Sequence, residues 1–185
     1  EESSGKNGLN SVLKHLPKLD CAIVGEPTLM QLAIAEKGLL VLDVKVKGTP
    51  SHAAHQNNDS AIYKAIPIIE WFKNYAFEKI SEQLGPVKMT VTQINAGSQH
   101  NVVPSECNLV VDIRVNDCYT NTEILQIAKD NIDAEVTPRS MHLNASSIPV
   151  SHKLIQAGIR LGRTTYGSPT LSDQSVLSCK SLKLG

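Results

Sequence analysis

The 185-residue chain lacks several features, and each absence removes a class of function. It has no net charge: eighteen basic and eighteen acidic residues cancel. No field of one sign therefore draws in nucleic acid or an anionic membrane surface, and a small-molecule substrate suits the chain better. Long apolar runs are also missing. CAIVG and GLLVL fall far short of the ~20 residues that span a bilayer. The first residues are acidic rather than signal-like, so the expectation is a soluble, cytoplasmic protein with no membrane partner. Cys21, Cys107, Cys118 and Cys179 are far apart, with no C-x-x-C pair to suggest a structural zinc site or a redox dithiol. Core thiols in a reducing compartment are the plain reading, and a chain of this size needs no disulfide. There is no internal repeat and no low-complexity tract.

What is present is a sequence of periodic segments. Residues 7–16 (NGLNSVLKHL) place Leu9, Val12, Leu13 and Leu16 at helical spacing, which predicts a short helix that Pro17 helps to end. Cys21 to Val24 reads as a short buried strand running into a turn at Gly25 and Pro27, with Glu26 at the strand's end. LLVLDVKVKG alternates, Leu40, Leu42, Val44 and Val46 on one face and Leu39, Val41, Asp43, Lys45 and Lys47 on the other, as a half-buried strand does. Asp59 or Ser60 can cap a helix carrying Ile62, Ala65, Ile66, Ile69, Phe72 and Phe77 over some five turns, with Pro67 as a kink. VKMTVTQINAG and ECNLVVDIRVN read as strands joined by a loop around Ser98 to Pro104. Thr120 or Asn121 caps a helix through Ile124, Leu125, Ile127, Ala128 and Ile132, and AEVTPRSMHL supplies a last strand.

The order β-α-β-β-α-β from residue 39 to 143 is the split-βαβ, ferredoxin-like arrangement: an antiparallel sheet with two helices on one face. The flanks each offer one helix and about one strand, too little to bury a core alone. The expected fold class is therefore α/β: a ferredoxin-like unit at 38–144 inserted between two pieces of a larger, incomplete α/β domain at 1–37 and 145–185.

The polar features that stand out are Glu1 and Glu2, Glu26 in VGEPT, the GTPSHAAH and GSQHNVVP loops, Arg114 in VDIRV, and GSPTLSDQS. Each has a dull explanation. Charges at a chain end are usually solvated, Glu26 suits a turn, His52 and His55 suit an exposed loop, and Arg114 suits an ion pair with a nearby acid. Taken in order, however, EE-x-x-G-x-x-G, VGEPT, EKGLLVLDVKVKGTPSHAAH, INAGSQHNVVPSECNLVVDIRV and SPTLSDQS resemble the successive motifs of the co-catalytic zinc amidohydrolases. That family includes acetylornithine deacetylase, succinyl-diaminopimelate desuccinylase, aminoacylase and carboxypeptidase relatives. VGEPT and SPTLSDQS resemble the acetylornithine deacetylase branch most, and the ferredoxin-like unit resembles the family's lid and dimerisation domain.

The resemblance implies roles. Glu1 would be the general base, taking a proton from a water that bridges two zinc ions and passing it to the leaving amine. Glu2 would ligate one zinc and Glu26 the other, with cobalt as a possible substitute. His52 would reach into the partner subunit's site of a homodimer and hydrogen-bond the oxyanion. Asn101 and Arg114 would hold the substrate's carboxylate, Arg114 through its bidentate fork. Thr170 and Ser172 would offer hydroxyl and backbone groups to the same region. His55 reads as a bystander, and His100 has no role that the resemblance assigns.

The chain departs from the pattern at both ends. The family's upstream H-x-D motif, its bridging aspartate and its final histidine ligand have no counterpart here. Glu2 and Glu26 alone cannot hold two zinc ions, so the fragment is expected to bind no metal and to be inactive by itself. The implied activity of the parent is removal of the acyl group from an N-acyl amino acid, with N-acetylornithine in arginine synthesis placed first. A succinyl-diaminopimelate or succinyl-ornithine desuccinylase, or a carboxypeptidase-like enzyme, comes second. A non-catalytic dimerisation module is the alternative of another class.

Overall fold

In a computed structural model, residues 8–185 are described. They form two main sheets joined by two adjacent chain crossings. The first sheet is built by β3 (Gly38–Lys47), β5 (Lys88–Ala96), β7 (Glu106–Val115) and β8 (Glu135–Pro138), in the spatial order β5-β7-β3-β8 with every pair antiparallel. Helices α2 (Ala61–Asn74) and α3 (Asn121–Asn131) complete the ferredoxin-like β-α-β-β-α-β order.

The alternation of β3 is as expected: Leu40, Leu42, Val44 and Val46 are buried, while the alternate residues through Lys45 are half-buried and Lys47 is exposed. They pack with Leu109, Val111 and Ile113 of β7, Ala61, Ala65, Ile68 and Phe72 of α2, and Ile124 and Ala128 of α3 in one core. α3 starts at a capping box. The Glu123 amide donates to Thr120 Oγ1 at 3.2 Å, and the Thr120 amide donates to Glu123 Oε2 at 2.7 Å.

Several expectations for this sheet change. α2 stops at Asn74, so Phe77 lies beyond it yet remains in the core. Of the two candidate caps Ser60 holds the position, without a side-chain bond, and Asp59 accepts from the Thr49 hydroxyl at 2.8 Å and Lys64 Nζ at 2.9 Å. The buried stripe of α2 is Ala61, Ala65, Ile68 and Phe72, whereas Ile62 and Ile66 are exposed. α2 is apolar on more than one side, and period alone cannot say which side the sheet covers. Pro67 does not end the helix: it is exposed, where water can satisfy the carbonyl that loses its donor. The last strand, β8, is four residues rather than ten.

The second sheet draws on both flanks. β1 (Cys21–Val24) runs parallel to β11 (Lys180–Lys183), β11 touches β2 (Leu32–Glu36) through Lys183 and Ala33, and β10 (Thr165–Ser168) runs parallel to β2. β9 (Ser146–Ser147) pairs with the end of β2. The flanks therefore carry more strands than expected. β2 was hidden because all five of its residues are buried and show no alternation, and β9, β10 and β11 are short and polar. Leu32, Ile34, Ile148, Ile155 of α4 (Lys153–Arg160) and Leu182 form the small core here. The first helix, α1, is confined to Leu9–Leu13 and buries none of its residues.

The crossings are tight. A Cβ at Gly38 would fall within 2.5 Å of the Ala145 nitrogen, so only glycine lets the outgoing strand pass the returning chain. At Gly167 of β10 a Cβ would collide with the Gln83 carbonyl of the first unit, and Lys37 Nζ donates to the Pro86 carbonyl at 2.6 Å.

Candidate functional site

Glu1 and Glu2 lie outside the described residues. Glu26 is half-buried on the turn after β1. Its loop is fastened to the last residue: the Thr28 and Met30 amides donate to the Gly185 carbonyl at 2.7 and 3.0 Å. Leu29 and Met30 are both left-handed, φ 54° and 58°, a conformation uncommon for residues with a side chain and often kept at functional turns.

His52 and Asn101 are brought together. Ser51–His52 (β4) pairs with Val102–Val103 (β6), a two-residue ribbon hidden in what reads as a loop. The Ala53 amide donates to the Asn101 carbonyl at 2.9 Å. Asn57 Nδ2 braces the ribbon by donating to the Thr49 carbonyl and Ser51 Oγ. The His52 ring is exposed, and its Nδ1 accepts from the Ala54 amide at 3.2 Å. A neutral His52 thus carries its proton on Nε2, free to donate outward. His55 stands 5.8 Å from the His52 ring, edge to face.

Arg114 is elsewhere. It lies opposite Leu39, near the start of β3, on the sheet face away from the helices. Its Nε and Nη2 donate to both carboxylate oxygens of Asp112 at 2.8 and 3.1 Å. The ribbon of His52 and Asn101 follows the other end of β3, eight strand residues beyond Leu39, which is roughly 25–30 Å along an extended chain.

Thr170 and Ser172 share one loop but differ in environment. Thr170 is exposed, whereas Ser172 is 4% exposed and donates its hydroxyl to Glu36 Oε2 at 2.6 Å. The same carboxylate oxygen lies 3.0 Å from Lys183 Nζ, an ion pair with both side chains buried. Lys183 Nζ also donates to Ser168 Oγ at 3.0 Å and to the Thr170 carbonyl at 2.8 Å. Burial pushes the Glu36 carboxyl above its ordinary value, against the opposing pull of Ser172 and Lys183. Neither Glu36 nor Lys183 stands out in the sequence; the one available signal is a charged residue closing the short apolar strand LAIAE, and KSLK offers none.

Among the described residues no group of three or more His, Cys, Asp or Glu side chains could hold a metal ion. The described residues by themselves therefore do not fit a zinc ion, Glu26 being a single donor.

Comparison with known proteins agrees with this architecture. The model of the peptidase dimerisation domain of the M20 family matches residues 34–139, more than half of the chain. A succinyl-diaminopimelate desuccinylase of Orientia tsutsugamushi (strain Ikeda) is 28% identical over 159 residues, covering 80% of this chain and 40% of the relative. One from Wolbachia pipientis wMel is 28% identical over 148 residues, covering 74% and 37%. Among solved structures, a tripeptidase of Staphylococcus aureus subsp. aureus Mu50 superposes with a TM-score of 0.69 at 18% identity, over 95% of this chain and 51% of its own. A dinuclear metal binding peptidase of the M20 family from Bacillus subtilis superposes with a TM-score of 0.59 at 15% identity, over 89% and 47%. The chain thus spans about two-fifths of the length of these curated relatives. The acetylornithine deacetylase branch is not singled out; the names beside this chain are desuccinylases. With a ferredoxin-like sheet joined to an α/β sheet and a matching model over residues 34–139, the chain belongs to the M20 peptidase dimerisation-domain family.

Proposed function

We propose that the chain is part of a metal-dependent amidohydrolase that removes the acyl group from an N-acyl amino acid, in a site shared by two protomers. The observation that carries this reading is the separation of Arg114 from the His52 and Asn101 ribbon. At roughly 25–30 Å along β3, one chain cannot bring its own His52 and its own Arg114 to one small substrate. A second copy can supply the missing half. Ile62, Tyr63 and Ile66 of α2 are exposed, and β5 is an edge strand with Ile94 56% exposed. Together they offer an apolar helix face and an unpaired backbone for a twofold contact.

In this reading His52 donates from Nε2 to the oxygen that becomes negative as the amide carbonyl is attacked. A donor that acts on the transition state lowers kcat by roughly a hundredfold when removed. Arg114, oriented by Asp112, meets the substrate's carboxylate with Nη1 and Nη2, and Asn101 adds a polar contact from the partner's ribbon. Thr170 presents its hydroxyl from the flank sheet. Glu26 and Glu2 would supply metal donors and Glu1 the general base; the rest of a metal's donor set would come from beyond the described residues.

Because relatives of this chain are succinyl-diaminopimelate desuccinylases, a succinylated diamino acid is the first substrate to test, before N-acetylornithine. The test is kcat/KM of the full-length protein on succinyl-diaminopimelate, succinyl-ornithine and acetyl-ornithine, with and without a chelator. Chelator-sensitive hydrolysis of an N-acyl amino acid is expected. A preference for unmodified dipeptides would contradict the proposal.

A further inference from the structure

Four features of the flank sheet converge on one loop. Glu36 closes β2 and is fully buried. Lys183 closes β11 and is 3% exposed. Their ion pair is 3.0 Å long, and between them they bind Ser168, Thr170 and Ser172 through four contacts of 3.0 Å or less, counting the pair itself. Glu36 Oε1 has no partner among the described residues, so Ser172 and Lys183 alone hold the carboxylate.

Such an arrangement is costly as a mere core filler. Two charges of this kind withdrawn from water contribute little net stability compared with apolar residues of similar length. What the pair does is tie down a turn whose own apolar side chains anchor it little, Pro169 being exposed and Leu171 only half-buried. Ser172 Oγ, held by Glu36, accepts the Gln174 amide at 3.3 Å and so starts the 3-10 turn Asp173–Val176. Lys183 grips the Thr170 carbonyl and also reaches Thr170 Oγ1 at 3.4 Å, and that hydroxyl meets Ser168 Oγ at 3.0 Å, so the network fixes the direction of the Thr170 side chain while the residue stays exposed.

We infer that Glu36 and Lys183 are positioning residues that lock the Ser168–Ser172 loop in its substrate-facing shape, with Ser172 serving as the anchor and Thr170 as the presented group. The inference rests on the reading of this loop as part of the substrate site. It gives Ser172 a different task from Thr170: its hydroxyl is committed to Glu36 and is not available to substrate.

The decisive variant is the double substitution Glu36→Met with Lys183→Met in the full-length protein. It removes both charges together and so leaves no buried charge unpaired. Its Tm should stay within about 4 °C of wild type. Amide exchange at Thr170, Gln174 and Ser175 should nevertheless rise ~tenfold relative to β7, and KM should rise ~tenfold with kcat within about threefold. A purely structural pair would move Tm without this split. Unchanged exchange in the loop overturns the inference whatever the activity, and faster exchange with unchanged KM overturns the loop's role in binding. A wild-type protein that hydrolyses no N-acyl amino acid overturns the proposed function instead, and the exchange measurement then decides alone whether the anchor exists. Should the double variant not fold, Ser172→Ala keeps the ion pair and must still speed exchange at Gln174 about threefold; no change there overturns the inference.

Discussion

The two sheets of this molecule are held by different means. The four-stranded sheet has one continuous core in which two helices cover alternating strand residues, and its charged side chains sit outside, paired across strands as Arg139 with Asp43 and Lys47 with Glu135. The flank sheet packs one cluster of five large apolar residues, with Ala33 and Ala35 buried beside it, and relies for the rest on polar side chains withdrawn from water: Glu36, Lys183, Ser172, Gln174 and Ser181. Gln174 Nε2 spans Ser146 and Ser181, tying β9 to β11. A small core assembled from segments more than a hundred residues apart has little apolar area to spare, so its loops are fixed by hydrogen bonds. The first sheet is suited to be a rigid scaffold, and the second to hold a polar site.

That contrast can be broken by truncating each core. Phe72→Ala, in the larger core, should cost ~3–5 kcal/mol, and Ile155→Ala, in the flank core, ~2–4 kcal/mol, both from urea titrations of the full-length protein. If Ile155→Ala costs less than ~1 kcal/mol, the flank apolar set is not a core and the polar network alone holds that sheet. A smaller effect is expected at the α3 capping box. Thr120→Ala should cost ~1 kcal/mol and raise amide exchange at Glu123 and Ile124, with no change in the flank sheet.

The smallest effect sharpens the comparison by sign. The raised Glu36 carboxyl makes its ionisation costly to the folded state; its contribution is full below the ordinary carboxyl range and is lost as pH rises through the raised value. The carboxyls of Asp43, held down by Arg139, Asp59, held down by Lys64 and then Thr49, and Glu123, held down by Thr120, run the other way. Their contributions are present above the ordinary range and are lost as pH falls through the depressed values. Lowering pH from about 7 to about 4 should therefore relieve β2 while the four-stranded sheet holds, and further acidification should loosen that sheet, as read by amide exchange corrected for intrinsic rate. Glu36→Gln should abolish the relief at β2 and leave the other sheet's response intact.

What could be read from sequence follows the same division. The alternation in LLVLDVKVKG placed the right face of β3 inward, because a sheet covered on one side writes its geometry into every second residue. Thr120, one of two candidate caps with Asn121, marked the start of α3, although its partnership with Glu123 emerges only in the structure. LAIAE gave no such signal, since a strand buried on both faces has no period, and SS, TYGS and KSLK are too short and polar to separate from turns. α2 misled for the opposite reason: with Ile62 and Ile66 as apolar as Ile68, only the sheet decides which side is inside. At the site, motif order pointed to His52, Asn101, Arg114, Thr170 and Ser172, but no motif could show that Ser172 is turned inward onto Glu36, or that the ribbon joins His52 to Asn101 and leaves Arg114 at the other end of β3.

The central claim, a site shared between protomers, is tested most directly by mixing two full-length variants that are each inactive, His52→Ala and Glu1→Gln. If His52 acts on the partner's site, random reassortment makes half of the dimers mixed, each with one complete site, and about a quarter of wild-type activity returns. If His52 serves its own chain's site, every site in the mixture lacks one group, and no recovery above the separate variants would contradict the account.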